Sequence, residues 1–230
     1  MRVLLVSDLH ANPFALDALP VADAVLCAGD LVDYGPDPRA AIAWCRSRAR
    51  AAVHGNHDRA LAFGEDDGVG PAMREASATT RELHRAAIDD DDLAYLRSLP
   101  PIAVTQLGGV TFAVTHGVAG NPRRYAPLAE AAASVREAVP HADVVVLGHT
   151  HVQEKAAFGG YVAVNPGSAG MASTGGEAHY ALWADGEIEL HAIPYDVEAT
   201  LWALDALGLP PNVQSVLARS FRVGRAITRR

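Results

Sequence analysis

Five apolar runs between residues 3 and 151 each stop at a side chain that can hold a metal ion or move a proton. VLLVSDLH closes on Asp8 and His10, VLCAGD on Asp30, and AAVHGNHD on Asn56, His57 and Asp58. FAVTHG closes on His116, and VVVLGHTH on His149 and His151. Buried charges are costly unless paired or bound to metal, so core packing is a poor account of five such endings. Ligands outside the carboxyl ends of strands are the usual geometry of α/β sites. Asp8, His10, Asp30, Asn56, His116, His149 and His151 make seven candidate ligands. That is more than one transition ion normally takes from protein, and it suits two divalent ions sharing one carboxylate. Oxygen and imidazole without thiolate suit Mn²⁺, Fe or Ni and also admit Zn²⁺. Two ions about 4 Å apart can clamp the attacking and leaving oxygens of a phosphoryl transfer and acidify a water. His149 and His151 would share one face if the backbone there stays extended; a polar strand end before a turn is the competing reading of that pair alone.

Positioning these groups falls to two differently built halves. In the first, strands at Val3–Val6, Ala24–Ala28 and Ala51–His54 alternate with helices at Phe14–Leu19 and Pro38–Arg48. Continuous apolar runs between helices predict βαβ units and a parallel sheet. Residues 58–99 read as helical and charged, and the four aspartates of IDDDDLAYLRSLP fit a helix start better than a metal cluster. In the second half, Gly-Gly in LGGV and FGGY and Asp-Gly in ADGE are two-residue hairpin turns. They pair Ile102–Leu107 with Val110–Thr115, Val152–Ala157 with Tyr161–Val164, and Ala178–Ala184 with Glu187–Ile193. Helices follow at Pro127–Val139 and at Val197–Leu207, the latter stopped by Gly208 and Pro210. Two packed sheets with helices outside, in one domain over residues 1–230, is the architecture these elements predict.

A formal charge of −8, with Lys155 the only lysine, argues against a nucleic-acid coat or an anionic-membrane binder. It leaves an anionic substrate open, because bound metal can override the global sign. The basic stretch RSFRVGRAITRR reads as a solvated tail. Cys27 and Cys45 read as small buried residues of a reducing compartment. With no secretory or membrane-spanning pattern, they place the protein in the cytoplasm. His54 is expected to pack or hydrogen-bond in its strand, and His84, His141, His179 and His191 to be core or surface histidines.

Taken in order, Asp8-Leu9-His10, Gly29-Asp30-Leu31-Val32-Asp33, Gly55-Asn56-His57-Asp58, His116-Gly117 and Gly148-His149-Thr150-His151 spell D-x-H, G-D-x-x-D, G-N-H-D, H-G and G-H-T-H. Over residues 3–170 the chain thereby resembles the calcineurin-like metallophosphoesterases. Asn165-Pro166-Gly167-Ser168 is similar to the NPGS segment of their small bacterial and archaeal phosphodiesterase branch. The resemblance implies an α/β fold, a four-layer α/β/β/α sandwich of two mixed β-sheets flanked by helices, in agreement with the two-sheet reading. It implies one ion on Asp8, His10, Asp30 and His151 and a second on Asp30, Asn56, His116 and His149, with Mn²⁺ expected first. It further implies attack by a metal-bound hydroxide and His57 near the leaving oxygen as proton donor or charge stabiliser; Asp58, beside His57, would orient it and hold it protonated.

The implied activity is hydrolysis of a small phosphodiester or nucleotide-like substrate. A bis(nucleosyl)-tetraphosphatase or a broad phosphomonoesterase would use the same ions and differ in its pocket. A non-catalytic interaction scaffold of the same fold would usually carry damage in the site, and here all seven ligands and His57 are intact. In GDLVDYG, Tyr34 stands where protein phosphatases of the wider family carry a phosphate-binding arginine, and Asp58 stands for their glutamate. Both departures argue against a phosphoprotein substrate. Asp33 either steadies a ligand or caps the turn DYGPDP, and Arg123, Arg124 and Tyr125 either line the substrate cleft or sit in a solvated loop. Without a basic stripe, nucleic acid is not the expected partner. No membrane partner is expected, and the oligomeric state is not legible in the chain.

Overall fold

The computed structural model describes residues 1–224. The first half runs β1 (Arg2–Val6), α1 (Pro13–Asp17), β2 (Ala24–Cys27), α2 (Pro38–Arg48), β3 (Ala49–Ala52), α3 (Asn56–Phe63), α4 (Pro71–Ala87) and α5 (Asp90–Ser98). The second runs β4 (Ile102–Leu107), β5 (Val110–Thr115), α6 (Leu128–Ala138), β6 (Val144–Val146), β7 (Gln153–Phe158), β8 (Tyr161–Pro166), β9 (Glu177–Ala184), β10 (Glu187–Pro194), α7 (Val197–Asp205) and α8 (Pro211–Val223). One sheet has the order β10-β9-β1-β2-β3 and the other β4-β5-β6-β8-β7. Both are mixed. β1, β2 and β3 are parallel in the first, as are β5, β6 and β8 in the second, with antiparallel partners outside them. All three predicted hairpins form on their two-residue turns. β3 starts two residues earlier than expected, directly after α2, and its ladder to β2 shifts between Val25 and Leu26.

Period-two alternation assembles the layers. Val3 and Leu5 of β1 face the second sheet and pack with Leu26, Phe112, Val114, Val144, Val146, Val164 and Trp183. Leu4 and Val6 face the other way, onto Ile42 and Cys45 of α2 and Leu96 of α5. Across the second sheet, Ala113, Val145 and Ala163 receive Leu128, Ala132 and Val135 of α6. The result is two mixed sheets face to face with helices outside both, the four-layer α/β/β/α sandwich. Asp89 caps α5 by accepting the Asp92 N–H at 2.9 Å, and Asp92 pairs with Arg39 and Arg46. The aspartate run is therefore a helix start.

The expectation for the C-terminal stretch fails in part. The stretch RSFRVGRAITRR is not a solvated tail throughout, because residues 219–223 complete α8. Leu217 and Phe221, four residues apart on one helix face, are fully buried beside Met73 of α4 and Leu204 of α7. Residues 225–230 lie outside the described part. Among the described residues no helix is long and apolar enough to cross a membrane.

Candidate metal centre

The loops after β1, β2 and β3 meet the loops after β5 and β6, and the seven predicted ligands are all buried there. Their backbone is unusual. Asp8, His10, Asp30, His149 and His151 have φ of 55°, 43°, 55°, 70° and 60°, the left-handed region that L-residues rarely enter. Such conformations persist where surrounding contacts over-determine them, and they cluster at functional sites. Here the contacts are visible. Asp8 N–H donates to Gly29 O at 2.8 Å, His10 N–H to Asp30 O at 3.0 Å, and His149 N–H to Asp8 Oδ2 at 3.1 Å. Close approach requires glycine at two points: a Cβ on Gly55 would lie 1.9 Å from Asp30 Oδ1, and one on Gly148 1.9 Å from Ser7 Oγ. The left-handed turns also correct the strand-face expectation for His149 and His151. β6 ends at Val146, and the two imidazoles part company.

Two clusters result: Asp8 with His10 and His151, and Asp30 with His116 and His149. In the first, the His10 and His151 Nε2 atoms are 3.0 Å apart, and Asp8 Oδ1 is 3.2 Å from His151 Nε2 and 3.9 Å from His10 Nε2. In the second, His116 Nε2 is 3.1 Å from Asp30 Oδ2 and 3.0 Å from Asn56 Oδ1. The Asn56 amide nitrogen donates to Asp67 O at 2.9 Å, which turns its oxygen inward.

These atoms fit divalent ions on chemical grounds. His10 Nδ1 meets Val32 O at 3.1 Å, His151 Nδ1 meets Met171 O at 2.8 Å, and His116 Nδ1 meets Ala28 O at 2.7 Å. A carbonyl only accepts, so each Nδ1 carries a proton, and the neutral form of each ring would present its Nε2 lone pair inward. Two lone pairs 3.0 Å apart, facing a carboxylate, want a cation between them. Among the described residues, Asp8 Oδ1 and His149 Nε2 are buried with no hydrogen-bond partner, the kind of group metal binding satisfies. Ligand atoms about 2.0–2.2 Å from one ion stand roughly 3 Å from each other, and the separations of 3.0, 3.2, 3.1 and 3.0 Å here are of that size, with Asp8 and His10 wider at 3.9 Å.

The metal-free electrostatics agree. Burial holds His10 down at about 3, helped by His151 and His57, and burial with His116 beside it holds His149 at about 3. Burial opposes the charge on Asp8, yet His151 brings it down to about 2. Burial likewise opposes the charge on His116, but Asp30 lifts it to about 9.

His57 lies at the start of α3, its Nε2 4.0 Å from Asp30 Oδ2 and its ring edge-on to His10 and Tyr34. Its Nδ1 meets Asp33 Oδ2 at 2.7 Å. Burial disfavours its charge, but Asp30 and then Asp33 outweigh it and raise His57 above its ordinary value. Asp33 is thus the carboxylate that orients His57, and the orienting role expected of Asp58 is corrected. Asp58 points away from the His57 ring and accepts the N–H groups of Asp30, Leu31 and Gly55 at 2.9, 2.8 and 2.8 Å. It staples the loop after β2 to the loop after β3. Burial, and then Asp30 nearby, raise its carboxyl to about 7.

The other candidates separate. The Tyr125 ring lies 4.0 Å from the His149 ring and overhangs the second cluster. Arg124 turns to Glu130. Arg123 borders a cleft of about 410 Å³ with Asn56, Arg59 and Asn121, and donates to Asp66 O at 3.3 Å. His54 is buried with Arg59 against it, as expected of a packing residue. His84 accepts Asp33 N–H on Nδ1 at 3.0 Å and donates from Nε2 to Gly35 O at 2.9 Å, fixing the turn that presents Asp33. Sequence reasoning missed Ser77, Thr80 and Arg81. The available signal was a polar stripe, Ser77, Thr80, Arg81 and His84, interrupting the buried face of α4 at helical spacing.

The chain is similar to known proteins along most of its length. The calcineurin-like phosphoesterase superfamily domain matches residues 1–184. An uncharacterized protein of Methanocaldococcus jannaschii is 24% identical over 220 residues, covering 85% of this chain and 88% of that protein. The crystal structure of a metallophosphoesterase from Sphaerobacter thermophilus superposes with a TM-score of 0.73 at 28% identity, covering 95% of this chain and 98% of that one. A hypothetical protein from Pyrococcus horikoshii superposes with a TM-score of 0.78 at 18% identity, covering 97% and 98%.

Proposed function

The chain belongs to the calcineurin-like phosphoesterase superfamily, and from that premise we propose that it is a cytoplasmic, dinuclear-metal phosphodiesterase acting on a small phosphodiester or nucleotide-like substrate. The observation that carries this reading is the pair of adjoining Asp/His clusters, with imidazole lone pairs converging on carboxylates. Asp8, His10 and His151 would hold one ion, Asn56, His116 and His149 the other, and Asp30 would be shared. Mn²⁺ is the first candidate for this oxygen–imidazole set. When bound, the ions would neutralise the phosphoryl oxygens and lower the pKa of a water nucleophile.

The chain's own side chains supply the rest. Asp33 keeps the His57 Nδ1 proton engaged, so the Nε2 proton faces the carboxylate cluster and is available to the leaving oxygen. Tyr34 fills the space beside His10 and His57 with an aromatic ring in place of a guanidinium, which suits a diester better than a dianionic monoester. Tyr125 offers an apolar face for the ester group. The two buried, free cysteines suit a reducing compartment.

The Mn²⁺-loaded protein is expected to hydrolyse bis(4-nitrophenyl) phosphate faster than 4-nitrophenyl phosphate. Failure to turn over diester, monoester and dinucleoside polyphosphate alike would sink the reading. His57→Ala should lower kcat about 10²–10⁴-fold, the usual worth of a general acid, while metal analysis finds the ions still bound. Loss of both together would make His57 a ligand. A second reading, a bis(nucleosyl)-tetraphosphatase, draws support from the cleft beside Asn56, whose Arg123 and Asn121 could meet further phosphates; a product assay on a dinucleoside tetraphosphate separates the two.

A further inference from the structure

Behind His57, on the side away from the clusters, lies a second set of charges, of which the ligand blocks contain only Asp33. Arg81 Nη2 donates to Asp33 Oδ2 at 2.6 Å and to Ser77 Oγ at 2.5 Å, and it also reaches Asp67 Oδ2. Ser77 Oγ is 2.5 Å from Asp67 Oδ2, 3.2 Å from Asp33 Oδ2 and 3.5 Å from His57 Nδ1. Asp33, His57 and Asp67 together have the composition of a metal site. The cation between their carboxylates is already present, however: it is the Arg81 guanidinium, contributed by α4.

Both carboxylates lead to the candidate centre. Asp33 holds His57 by its Nδ1. The Asp67 backbone carbonyl holds the Asn56 amide, and the Asp67 side chain folds its own loop by accepting Val69 N–H at 2.9 Å. Without a cation between them, two buried like charges would face each other across Ser77. Relief would come by moving the loop between α3 and α4, which withdraws the Asn56 partner, or by protonating Asp33, which weakens its hold on His57. We propose that Arg81 is a positioning residue, setting the orientation of His57 through Asp33 and that of Asn56 through Asp67. This rests on the proposed function for its consequence in turnover, but its geometry stands apart from it.

The test compares Arg81→Ala, Arg81→Lys, His57→Ala and the double variant with two Mn²⁺-catalysed diester substrates, one with a nitrophenyl and one with an alkyl leaving group. If His57 protonates the leaving oxygen, His57→Ala loses more on the alkyl ester. Arg81→Ala should share that pattern, lowering kcat about 10–100-fold with little change in KM. Arg81→Lys should recover part of the loss, and the double variant should be no worse than His57→Ala. Calorimetric Mn²⁺ titration of Arg81→Ala should show one of two sites weakened by about 10–100-fold.

A readout independent of turnover is the low-field imidazole N–H resonance of His57 in the metal-free protein, assigned by its loss in His57→Ala. It should vanish or move upfield in Arg81→Ala and return in Arg81→Lys. Fully additive losses with an unchanged resonance overturn the proposal, and so does an unchanged resonance in a folded Arg81→Ala protein by itself. If no ester is turned over, the functional reading fails and the resonance still decides the role of Arg81. Should Arg81→Ala not fold, Arg81→Gln, which keeps a donor without the charge, carries the same readouts.

Discussion

The two sheets contribute opposite halves of one candidate ligand set. The loops after β1, β2 and β3 bring Asp8, His10, Asp30 and Asn56, hence every oxygen and all the negative charge. The loops after β5 and β6 bring His116, His149 and His151, imidazole alone. Each Asp/His cluster takes members from both sheets, so neither half alone would complete a site for an ion. The halves are also anchored differently. Asp58 staples the first-sheet loops through three backbone N–H groups. In the second sheet, Asn165 pins the histidine loop by donating to Gly148 O at 2.6 Å and to Thr150 Oγ1 at 3.1 Å. An ion bridging such halves would tie the layers of the sandwich as well as serve chemistry.

That comparison makes metal removal the largest expected effect. An ion that binds only the folded chain, at a thousand times its Kd, stabilises by about 4 kcal/mol, which for a chain of this size is roughly 10 °C in Tm. Scanning calorimetry with and without a chelator measures this. No change would mean that the halves are closed by their hydrophobic layer alone. Smaller effects should separate the clusters. His151→Ala and His149→Ala should each lose one ion and keep the other, read as metal stoichiometry. Simultaneous loss of both ions from either variant would break the two-cluster division. Smallest is Asp58→Asn, which turns a carboxamide N–H toward a backbone donor. It should lower stability by about 1–3 kcal/mol, seen in urea unfolding, without the leaving-group pattern of His57→Ala. If that pattern appeared without a stability loss, Asp58 would regain an orienting role.

Much of this architecture was legible in the chain because it rests on local physics. Gly-Gly and Asp-Gly adopt hairpin turns whatever surrounds them, and the three hairpins stand where those dipeptides placed them. Short apolar runs between helices mark parallel strands, and β1 and β2 lie within a residue of expectation. The seven candidate ligands, all buried together, were likewise visible, since a carboxylate or imidazole closing a buried strand is costly there until a partner or a metal ion compensates it.

The sequence alone therefore determined which residues could form the centre, and the two-sheet frame that brings them together. Only the tertiary structure decided how they act. Strand alternation suggested one face for His149 and His151, but left-handed turns held by Asp8 and Asn165 send them to different clusters. Adjacency pointed to Asp58 as the partner of His57, whereas Asp33, 24 positions away, accepts the hydrogen bond from its Nδ1. Arg81 enters from a helix 48 positions beyond Asp33. Turn and strand preferences are properties of a few consecutive residues. Hydrogen-bond partners across a folded interior depend on which loops the packed layers bring within about 3 Å, and nothing in the local sequence carries that distance.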